Sequence, residues 1–405
     1  MVINMKKKNI AISMLIVFTL VFSGLNLSVA KDINCKNQIS VSSNVNYRAV
    51  LVGIDDYPGT ANDLDTPIFD LRSMYDALKR GNPVYRIHPL ENDSATRSNV
   101  LDEIKWLENE AKKDNGETVS IFYFCGHGTT LDSKDTDREG DRFDECLCLY
   151  DEYLRDDELT DALALIPGTV IVFLDSCFCA GFIDDLDYIK NDWISDEIVM
   201  FTAHGEYQSL FENLDIERGL HTFFIVSALM TDTNRDGNIK LGELKTSLVK
   251  NYNELLERWG TSYEIDEENI YPFSNFPSRK IILEGFTNSA PVIDPSCDGP
   301  NKAGEIDYNI ELTDSDGDKM RLLIYWRDGY VQGWGGCHSG DTLSRYHKYT
   351  SSGDYKILVL AKDANEAVTL DVSENIHVES KQKIFLNSYL SNFPLIQQIL
   401  QKLNL

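Results

Sequence analysis

The chain has 405 residues, of which 65 are acidic and 38 are basic, so its formal net charge at pH 7 is −27. A surface this acidic repels nucleic acid and anionic lipid and suits cations and basic peptides, which argues against a nucleic-acid-binding protein. The hydrophobic content of 42% is typical of a folded globular protein and excludes general disorder, and a chain of this length predicts two domains.

The N-terminus has the pattern of a secretory signal peptide. Three lysines at positions 6–8 precede a nearly unbroken apolar run over residues 10–22, and residues 28–30 read Ser-Val-Ala, a small-x-small cleavage site. We therefore interpret residues 1–30 as a signal peptide and expect the mature protein to be exported. An uncleaved membrane anchor is the alternative, although the run is shorter than the roughly 20 residues of a spanning helix. We predict no transmembrane span in the mature chain.

Residues 47–285 predict strands that alternate with helices. Short apolar runs bounded by polar residues are typical of buried parallel strands, and apolar residues at helical spacing indicate amphipathic helices. The predicted strands cover residues 47–54, 119–125, 170–174 and 198–202, and the predicted helices cover residues 68–78, 98–113 with Ser98 as the cap, a segment from about 156, 220–230 and 241–259. An acidic loop follows the second strand. This order predicts an α/β fold with a mainly parallel central sheet flanked by helices.

The pattern changes near residue 287. Residues 287–305 are rich in Pro, Gly, Asn and Ser, which predicts a linker and an entry loop, and short alternating runs separated by turn residues follow. We interpret residues 287–379 as a small all-β sandwich, in which Cys297 and Cys337 could pair after export. Residues 380–405 have no acidic side chain and predict an amphipathic C-terminal tail.

Two strands of the predicted sheet end in residues that can carry chemistry. The stretch SIFYFCGHGTT places His127 after one strand, and TVIVFLDSCFCAG places Cys177 after another. Open α/β sheets bind their ligands at the carboxyl ends of the strands. The functional interpretation is a nucleophilic thiolate at Cys177 with His127 as its base, and the backbone N–H groups of Gly128 and Cys177 as oxyanion donors. Alternatively, Cys177 and Cys179 are core, disulfide or metal-binding cysteines, or Cys179 is the nucleophile.

These two stretches resemble the caspase–metacaspase superfamily, and specifically its prokaryotic, metacaspase-like branch. His127 lies fifty residues before Cys177, which is the caspase spacing. The stretches RAVLVGIDDYPG, DLRSMYDAL and GLHTFFIVSALM support the resemblance, which covers about residues 47–285. It implies a caspase-like fold, cysteine endopeptidase activity, and His127 and Cys177 as a catalytic dyad.

The same resemblance implies a substrate-binding site for a basic side chain. In metacaspase-like enzymes the acid before Ser-Cys lines the S1 pocket, which here is Asp175, and the acid that opens the D-x-x-x-M helix belongs to the same pocket, which here is Asp70. Two carboxylates suit arginine or lysine at P1, the residue before the cleaved bond. Asp70 could instead be a helix N-cap. We expect protein or peptide substrates with basic residues.

A calcium-binding loop is the strongest metal motif in the sequence. Residues 232–243, DTNRDGNIKLGE, match the EF-hand loop, with Gly237 at the turn. The predicted Ca²⁺ ligands are Asp232, Asn234, Asp236, Asn238 and Glu243. A solvated acidic turn is the alternative. The loop resembles one found at the same place in many secreted caspase-like proteins, and we expect a structural calcium.

A second acidic segment is a weaker metal candidate. It resembles the segment that binds activating calcium in metacaspases, with Asp156 and Asp157 matching its paired acids and Asp144 as a further contributor. A solvated acidic loop explains it equally well. The run DSDGD at residues 314–318 predicts a turn, not a metal site.

Residues 287–379 resemble a PKD-like or other immunoglobulin-like module, which implies adhesion or positioning and a partner at the cell surface or envelope. A second hypothesis for the whole chain follows from this resemblance. It is a non-catalytic, calcium-binding surface protein built on a degenerate caspase fold. The presence of both His127 and Cys177 favours the peptidase.

Overall fold

The computed structural model describes residues 45–379 except 83, 115–117, 133–142, 204–218, 260–269, 273–274, 299–303 and 374. The predicted signal peptide and the predicted C-terminal tail lie outside the described residues. Among the helices of the described part, none combines the length and the apolar character that crossing a membrane requires.

A six-stranded sheet forms the centre of the N-terminal part. Its order is β10-β8-β7-β3-β1-β2, and every neighbouring pair is parallel except β10 with β8. The strands are β1 (Asn46–Gly53), β2 (Arg86–Glu91), β3 (Thr118–Cys125), β7 (Thr169–Asp175), β8 (Glu197–Thr202) and β10 (Ile270–Tyr271). Every residue of β3 and β7 is buried, as expected of apolar runs in a parallel sheet covered on both faces.

Helices cover both faces of this sheet, which confirms the predicted α/β architecture. One face, here called the α1 face, is covered by α1 (Pro67–Gly81), α5 (Leu220–Leu229) and α6 (Leu241–Trp259). The opposite face, here called the α2 face, is covered by α2 (Arg97–Lys113), α3 (Asp156–Ala164) and α4 (Phe182–Ile189). Apolar residues of each helix pack against the sheet, and α5 is buried over its whole length, so two separate cores form.

Helix starts differ from the sequence prediction at two places. The predicted cap at Ser98 is wrong, because α2 begins earlier: the Thr96 side chain accepts the backbone N–H of Asn99 at 3.3 Å. The N-cap alternative for Asp70 is also wrong, because α1 begins at Pro67 and Asp70 lies within its first turn. Asp70 is therefore available for another role.

The predicted acidic loop contains a small antiparallel sheet. Its strands are β4 (Gly128–Asp132), β5 (Phe143–Cys148) and β6 (Tyr153–Arg155). Strand β2 and helix α4 were also not predicted. The sequence of β2 contains Pro89, and a proline is tolerated there because β2 lies at the edge of the central sheet.

Two antiparallel sheets pack as a sandwich in the C-terminal part, which confirms the predicted all-β region. One sheet contains β12 (Val292–Asp298), β13 (Glu305–Thr313) and β16 (Asp341–Lys348). The other contains β15 (Val331–Cys337), β14 (Met320–Tyr325), β18 (Leu358–Asp363) and β19 (Val368–Val372). Their inward side chains share one core. Strand β12 lies in the segment predicted to be a linker.

Two short antiparallel strand pairs lie outside these sheets. The remaining strands are β9 (Asn238–Lys240), which pairs with β11 (Ile281–Glu284), and β17 (Gly353–Tyr355), which pairs with β20 (Ile376–Val378). The suggested Cys297–Cys337 disulfide is not formed in the structure. Cys297 lies on β12 and Cys337 on β15, so the two residues belong to opposite sheets of the sandwich.

The sandwich packs against the α1 face. Leu323, Leu358 and Leu370 of its second sheet share a core with the helices of that face. The backbone N–H of Val368 donates to the Ser227 hydroxyl of α5 at 3.0 Å. Apolar burial and direct hydrogen bonds therefore join the two parts of the chain.

Candidate active site

The central sheet brings the two predicted catalytic residues to one edge. Strands β3 and β7 are parallel neighbours, and their register pairs Cys125 with Asp175. His127 and Cys177 each lie two residues beyond this last pair, at the carboxyl ends of adjacent strands. The backbone N–H of Gly126 donates to the carbonyl oxygen of Asp175 at 3.3 Å, which continues the strand contact toward the two residues.

The His127 side chain is held by contacts that the sequence did not indicate. Its Nε2 lies 2.9 Å from the backbone carbonyl oxygen of Asn62, and its ring packs 5.0 Å from the ring of Tyr57. The Tyr57 hydroxyl accepts the backbone N–H of His127 at 2.8 Å and donates to the carbonyl oxygen of Cys148 at 3.1 Å. Tyr57 stands in the DDYPG stretch, whereas a backbone carbonyl such as that of Asn62 leaves no sequence signal.

The cysteines at the end of β7 differ in burial and surroundings. Cys177 is partly exposed, and burial together with the Asp175 carboxylate raises the pKa of its thiol. Cys179 is fully buried, and its Sγ donates to the carbonyl oxygens of Leu174 at 3.4 Å and Ala203 at 3.1 Å. Burial raises the pKa of Cys179 to about 12. Of the two thiols, only Cys177 can meet a substrate in this fold.

Asp70 and Asp175 converge beneath this edge of the sheet. Their carboxylate oxygens and the Sγ of Cys125 lie within 4.8 Å of one another, and all three residues are buried. The Cys125 thiol donates to Asp70 at 3.6 Å. Burial, reinforced by the two carboxylates, holds the pKa of Cys125 well above its usual range. Three such ligand atoms can hold a cation, either a metal ion or a positively charged side chain.

The N-terminus of α5 orients both carboxylates. The backbone N–H of Gly219 donates to Asp70 at 3.0 Å, and the backbone N–H and hydroxyl of Thr222 donate to Asp175 at 3.0 and 2.7 Å. A Cβ at residue 219 would lie 2.8 Å from Asp175 and 3.1 Å from Asp70, so glycine is required. The stretch GLHT supports the family resemblance, but the roles of Gly219 and Thr222 follow only from the structure.

A cavity of about 380 Å³ opens beside His127. Tyr57, Cys148 and Leu149 line it together with acidic side chains, among them Asp151. Burial, with a contribution from the nearby Cys177, raises the pKa of Cys148 to about 11. The cavity leaves room next to the imidazole for part of a substrate.

The loop predicted to bind calcium folds around its own polar side chains. The Asp232 carboxylate accepts two backbone N–H groups at 2.8 Å each, and Asn234 and Asp236 each accept the N–H two residues further on at 2.8 and 3.0 Å. Residue 237 has a φ of +82°. The side chains of residues 232–236 thus accept backbone N–H groups of their own loop, and the left-handed turn at Gly237 matches the glycine position of an EF-hand loop.

Glu243 closes this loop. Its carboxylate accepts the Thr233 hydroxyl at 2.9 Å and the backbone N–H of Lys240 at 3.2 Å, so it faces the loop from the start of α6. The donor set of carboxylate, amide and carbonyl oxygens fits Ca²⁺. The Lys240 ammonium forms an ion pair with the Asp236 carboxylate and adds a positive charge to the loop. This hydrogen bond lowers the pKa of Asp236.

The weaker metal candidate is also brought together. Asp156 accepts the backbone N–H groups of Glu145 at 2.7 Å and Asp157 at 2.8 Å, which joins β5 to the start of α3. The Arg155 guanidinium bonds Asp144. One oxygen of Asp157 is buried without a hydrogen-bond partner in the described part of the chain. The chain itself thus supplies partners to Asp144 and Asp156, as Lys240 does to Asp236 in the 232–243 loop.

Comparisons with known proteins agree with this fold. Residues 46–262, more than half of the chain, match the family described as "Caspase domain". The chain is 34% identical over 160 residues to metacaspase-1 of Lodderomyces elongisporus, covering 35% of this chain and 34% of that protein. It is 26% identical over 156 residues to inactive metacaspase-4 of Trypanosoma brucei brucei, covering 35% of this chain and 42% of that protein. The chain thus spans about a third to two fifths of the length of these relatives.

Among solved structures, caspase-1 from Spodoptera frugiperda matches with a TM-score of 0.34 at 14% identity. The match covers 55% of this chain and 84% of the insect protein.

Proposed function

Because the chain belongs to the caspase-domain family of cysteine peptidases, we propose that it is an endopeptidase in which Cys177 is the nucleophile and His127 the general base and acid. One observation carries the proposal. Both residues stand two positions beyond the pair Cys125–Asp175, at the ends of adjacent parallel strands and above two buried carboxylates.

The first step needs a base, because the raised pKa of Cys177 keeps the resting thiol protonated. A neutral His127 that donates from Nε2 to the carbonyl oxygen of Asn62 retains its proton there, which leaves Nδ1 free to accept the thiol proton. The sulfur then attacks the carbonyl carbon of the substrate. This is general-base catalysis and not attack by a preformed thiolate.

Bond cleavage follows from the same groups. The backbone N–H groups of Gly128 and Cys177 stabilise the oxyanion of the tetrahedral intermediate. The imidazolium of His127 gives its proton to the leaving amine, the C–N bond breaks, and a thioester to Cys177 remains. The neutral His127 then takes a proton from a water molecule, which attacks the thioester. The sulfur of Cys177 leaves, and the imidazolium of His127 returns the proton to it.

The cluster of Asp70 and Asp175 supports cleavage after arginine or lysine. Two buried carboxylates this close repel each other, and a guanidinium or ammonium between them relieves the repulsion. The hydrogen bonds from Gly219 and Thr222 fix both carboxylates before the substrate arrives. A P1 aspartate would add a third negative charge. Protein or peptide substrates with basic residues follow from this site.

Calcium belongs to the proposal as a stabilising ion. Asp232, Asn234, Asp236 and Glu243 with the Asn238 carbonyl would hold it, and it would supply positive charge that cross-links the loop to α6. Arg235 in this loop bonds Ser315 of the sandwich and lies 3.8 Å from Asp316. Calcium binding would therefore also steady the contact between the peptidase domain and the sandwich.

The protein is exported, and its C-terminal sandwich positions the peptidase domain. The N-terminal pattern supports export, and an exported protein meets abundant calcium. The sandwich at residues 287–379 supports a PKD-like positioning role toward a surface or envelope partner. Its close packing on the α1 face keeps it attached to the peptidase domain.

The test is hydrolysis of a peptide library with and without calcium, together with labelling by an arginine-bearing peptide with a thiol-reactive group. Cys177→Ala should lower kcat/KM by at least about 10⁴-fold and abolish labelling. Cys179→Ala is the matched control and should retain activity, because Cys179 is buried behind the strand. Turnover by purified Cys177→Ala would disprove the nucleophile. No cleavage of any peptide by the wild type would favour a non-catalytic surface protein.

A further inference from the structure

Phe178, the residue after Cys177, combines two unfavourable features. Its backbone φ is +62°, in the left-handed region that bulky residues rarely adopt, and 56% of its surface is exposed. Among the described non-glycine residues with positive φ it is the one aromatic residue. An aromatic ring held in solvent on strained backbone contributes little to folding, and strain of this kind clusters at functional sites.

The turn that follows β7 explains the backbone conformation. Cys179 must enter the core on the α2 face, where its thiol reaches the carbonyl oxygens of Leu174 and Ala203, and Phe182 begins α4 on the same face. This sharp reversal leaves residue 178 outside. Glycine or asparagine would adopt a positive φ with less strain than phenylalanine. The turn therefore explains the positive φ of residue 178, but it does not explain why this residue has an aromatic side chain.

The two S1 carboxylates and the chain segment that starts at Phe178 lead from Cys177 to opposite faces of the sheet. Asp70 on α1 and Gly219 before α5 belong to the α1 face, whereas the segment from Phe178 leads into α4 on the α2 face. In a bound peptide, the P1 side chain would lie among the carboxylates and the reacting carbonyl at Cys177. Such a peptide continues away from the α1 face. The leaving group of the substrate thus extends toward Phe178.

The cavity beside His127 lies on the same side. Tyr57 and Leu149, which line it, pack in the same core as Cys179 and Phe182. His127 protonates the leaving amine in the proposed reaction, so the leaving group must stay near this imidazole. The space for the leaving group therefore lies on the face toward which the chain runs from Phe178.

We propose that Phe178 is a specificity-determining residue that contacts an apolar side chain at P1′, the first residue after the cleaved bond. The inference rests on the proposed peptidase function. The ring covers the P1′ side chain and is itself removed from water, which favours leucine or another apolar residue there over glycine. Recognition on both sides of the cleaved bond then selects basic–apolar sequences.

The experiment compares two peptides with arginine at P1 that differ only at P1′, leucine against glycine. The wild type should cleave the leucine peptide with roughly tenfold higher kcat/KM. In Phe178→Asn, which tolerates a positive φ but has no ring, this ratio should fall to about one. Phe178→Tyr is the matched control, because it keeps the ring and should keep the preference.

The outcomes separate this inference from the function on which it rests. An unchanged leucine-to-glycine ratio in Phe178→Asn would overturn the P1′ role while leaving the peptidase intact. Cleavage of neither peptide by the wild type would overturn the proposed function and the inference together. The melting temperature of Phe178→Asn should equal or exceed that of the wild type, because the strain is relieved. A lower melting temperature would assign the ring to folding and contradict the inference.

Discussion

The carbonyl oxygen of Cys177 lies directly against the α-carbon of Gly128. A Cβ built on residue 128 would lie 1.9 Å from that oxygen, closer than real Cβ contacts come, and 3.2 Å from the Cys177 nitrogen. The backbones after β3 and β7 thus touch at the proposed reaction centre. This contact fixes the position of His127 relative to Cys177. It leaves no room for a side chain on residue 128.

Gly128→Ala should therefore damage both stability and catalysis. The added methyl group must push the two backbones apart, which we expect to cost about 1–3 kcal/mol of unfolding free energy and about 100-fold in kcat/KM. Gly336→Ala is the matched control, because no atom lies within 4 Å of a Cβ built there. Thermal melting and peptide hydrolysis measure the two effects. Normal activity in Gly128→Ala would contradict the close approach of the strands.

Neutralising the proposed S1 carboxylates should remove the preference for a positive P1 side chain. Asp175→Asn or Asp70→Asn should lower the ratio of kcat/KM for arginine to that for its uncharged analogue citrulline by about 100-fold. Asp76→Asn on the exposed side of α1 should leave the ratio unchanged. A wild type that cleaves both peptides equally, or prefers aspartate at P1, would disprove this pocket.

Glu243→Gln should weaken calcium binding at the 232–243 loop. Calcium that binds only the folded protein stabilises it by about 2.7 kcal/mol at one hundred times its Kd, so the ion should raise the melting temperature of the wild type more than that of the variant. Glu254→Gln, further along α6, should behave as the wild type. If the calcium-dependent shift persists in Glu243→Gln, the main site lies elsewhere, and Asp156 and Asp157 become the next residues to change.

The contribution to stability of Asp363, at the contact between the sandwich and α5, should fall as the pH rises from about 4 to about 6. Burial raises its pKa from 3.8 to about 6, although Asn288 donates to it at 2.7 Å. The folded protein therefore binds this proton more tightly than the unfolded chain. The resulting contribution, about 2–3 kcal/mol, is present below pH 4 and lost by about pH 6.

Thermal melting of the wild type and Asp363→Asn across pH 4–7 measures this contribution. The variant should lose part of the fall in melting temperature between pH 4 and pH 6, since its side chain does not titrate. Identical pH profiles for the two proteins would show that Asp363 has the same pKa in the folded and unfolded states.

Sequence patterns alone predicted the main buried strands and helices, the ends of β3 and β7, and the family resemblance. Fully buried parallel strands must be apolar over their whole length, so their ends are visible where polar residues begin. His127 and Cys177 stand at such ends. The edge strand β2 and the sheet of β4 to β6 were missed, because half-exposed segments mix polar and apolar residues without a clear period. Helix α4 was missed although its buried residues recur at helical spacing, because eight residues are too few for a distinct periodic signal.

The groups that surround His127 and Cys177 could be identified only from the fold. The Asn62 carbonyl and the backbone N–H of Gly219 are main-chain groups that any residue type provides, and they come from loops distant in sequence. Burial distinguishes Cys177 from Cys179, the alternative nucleophile that the sequence allows. The strain and exposure of Phe178 likewise depend on the path of the turn into α4. Periodicity along a chain reports which face is buried, whereas contacts between loops depend on how the sheet brings their ends together.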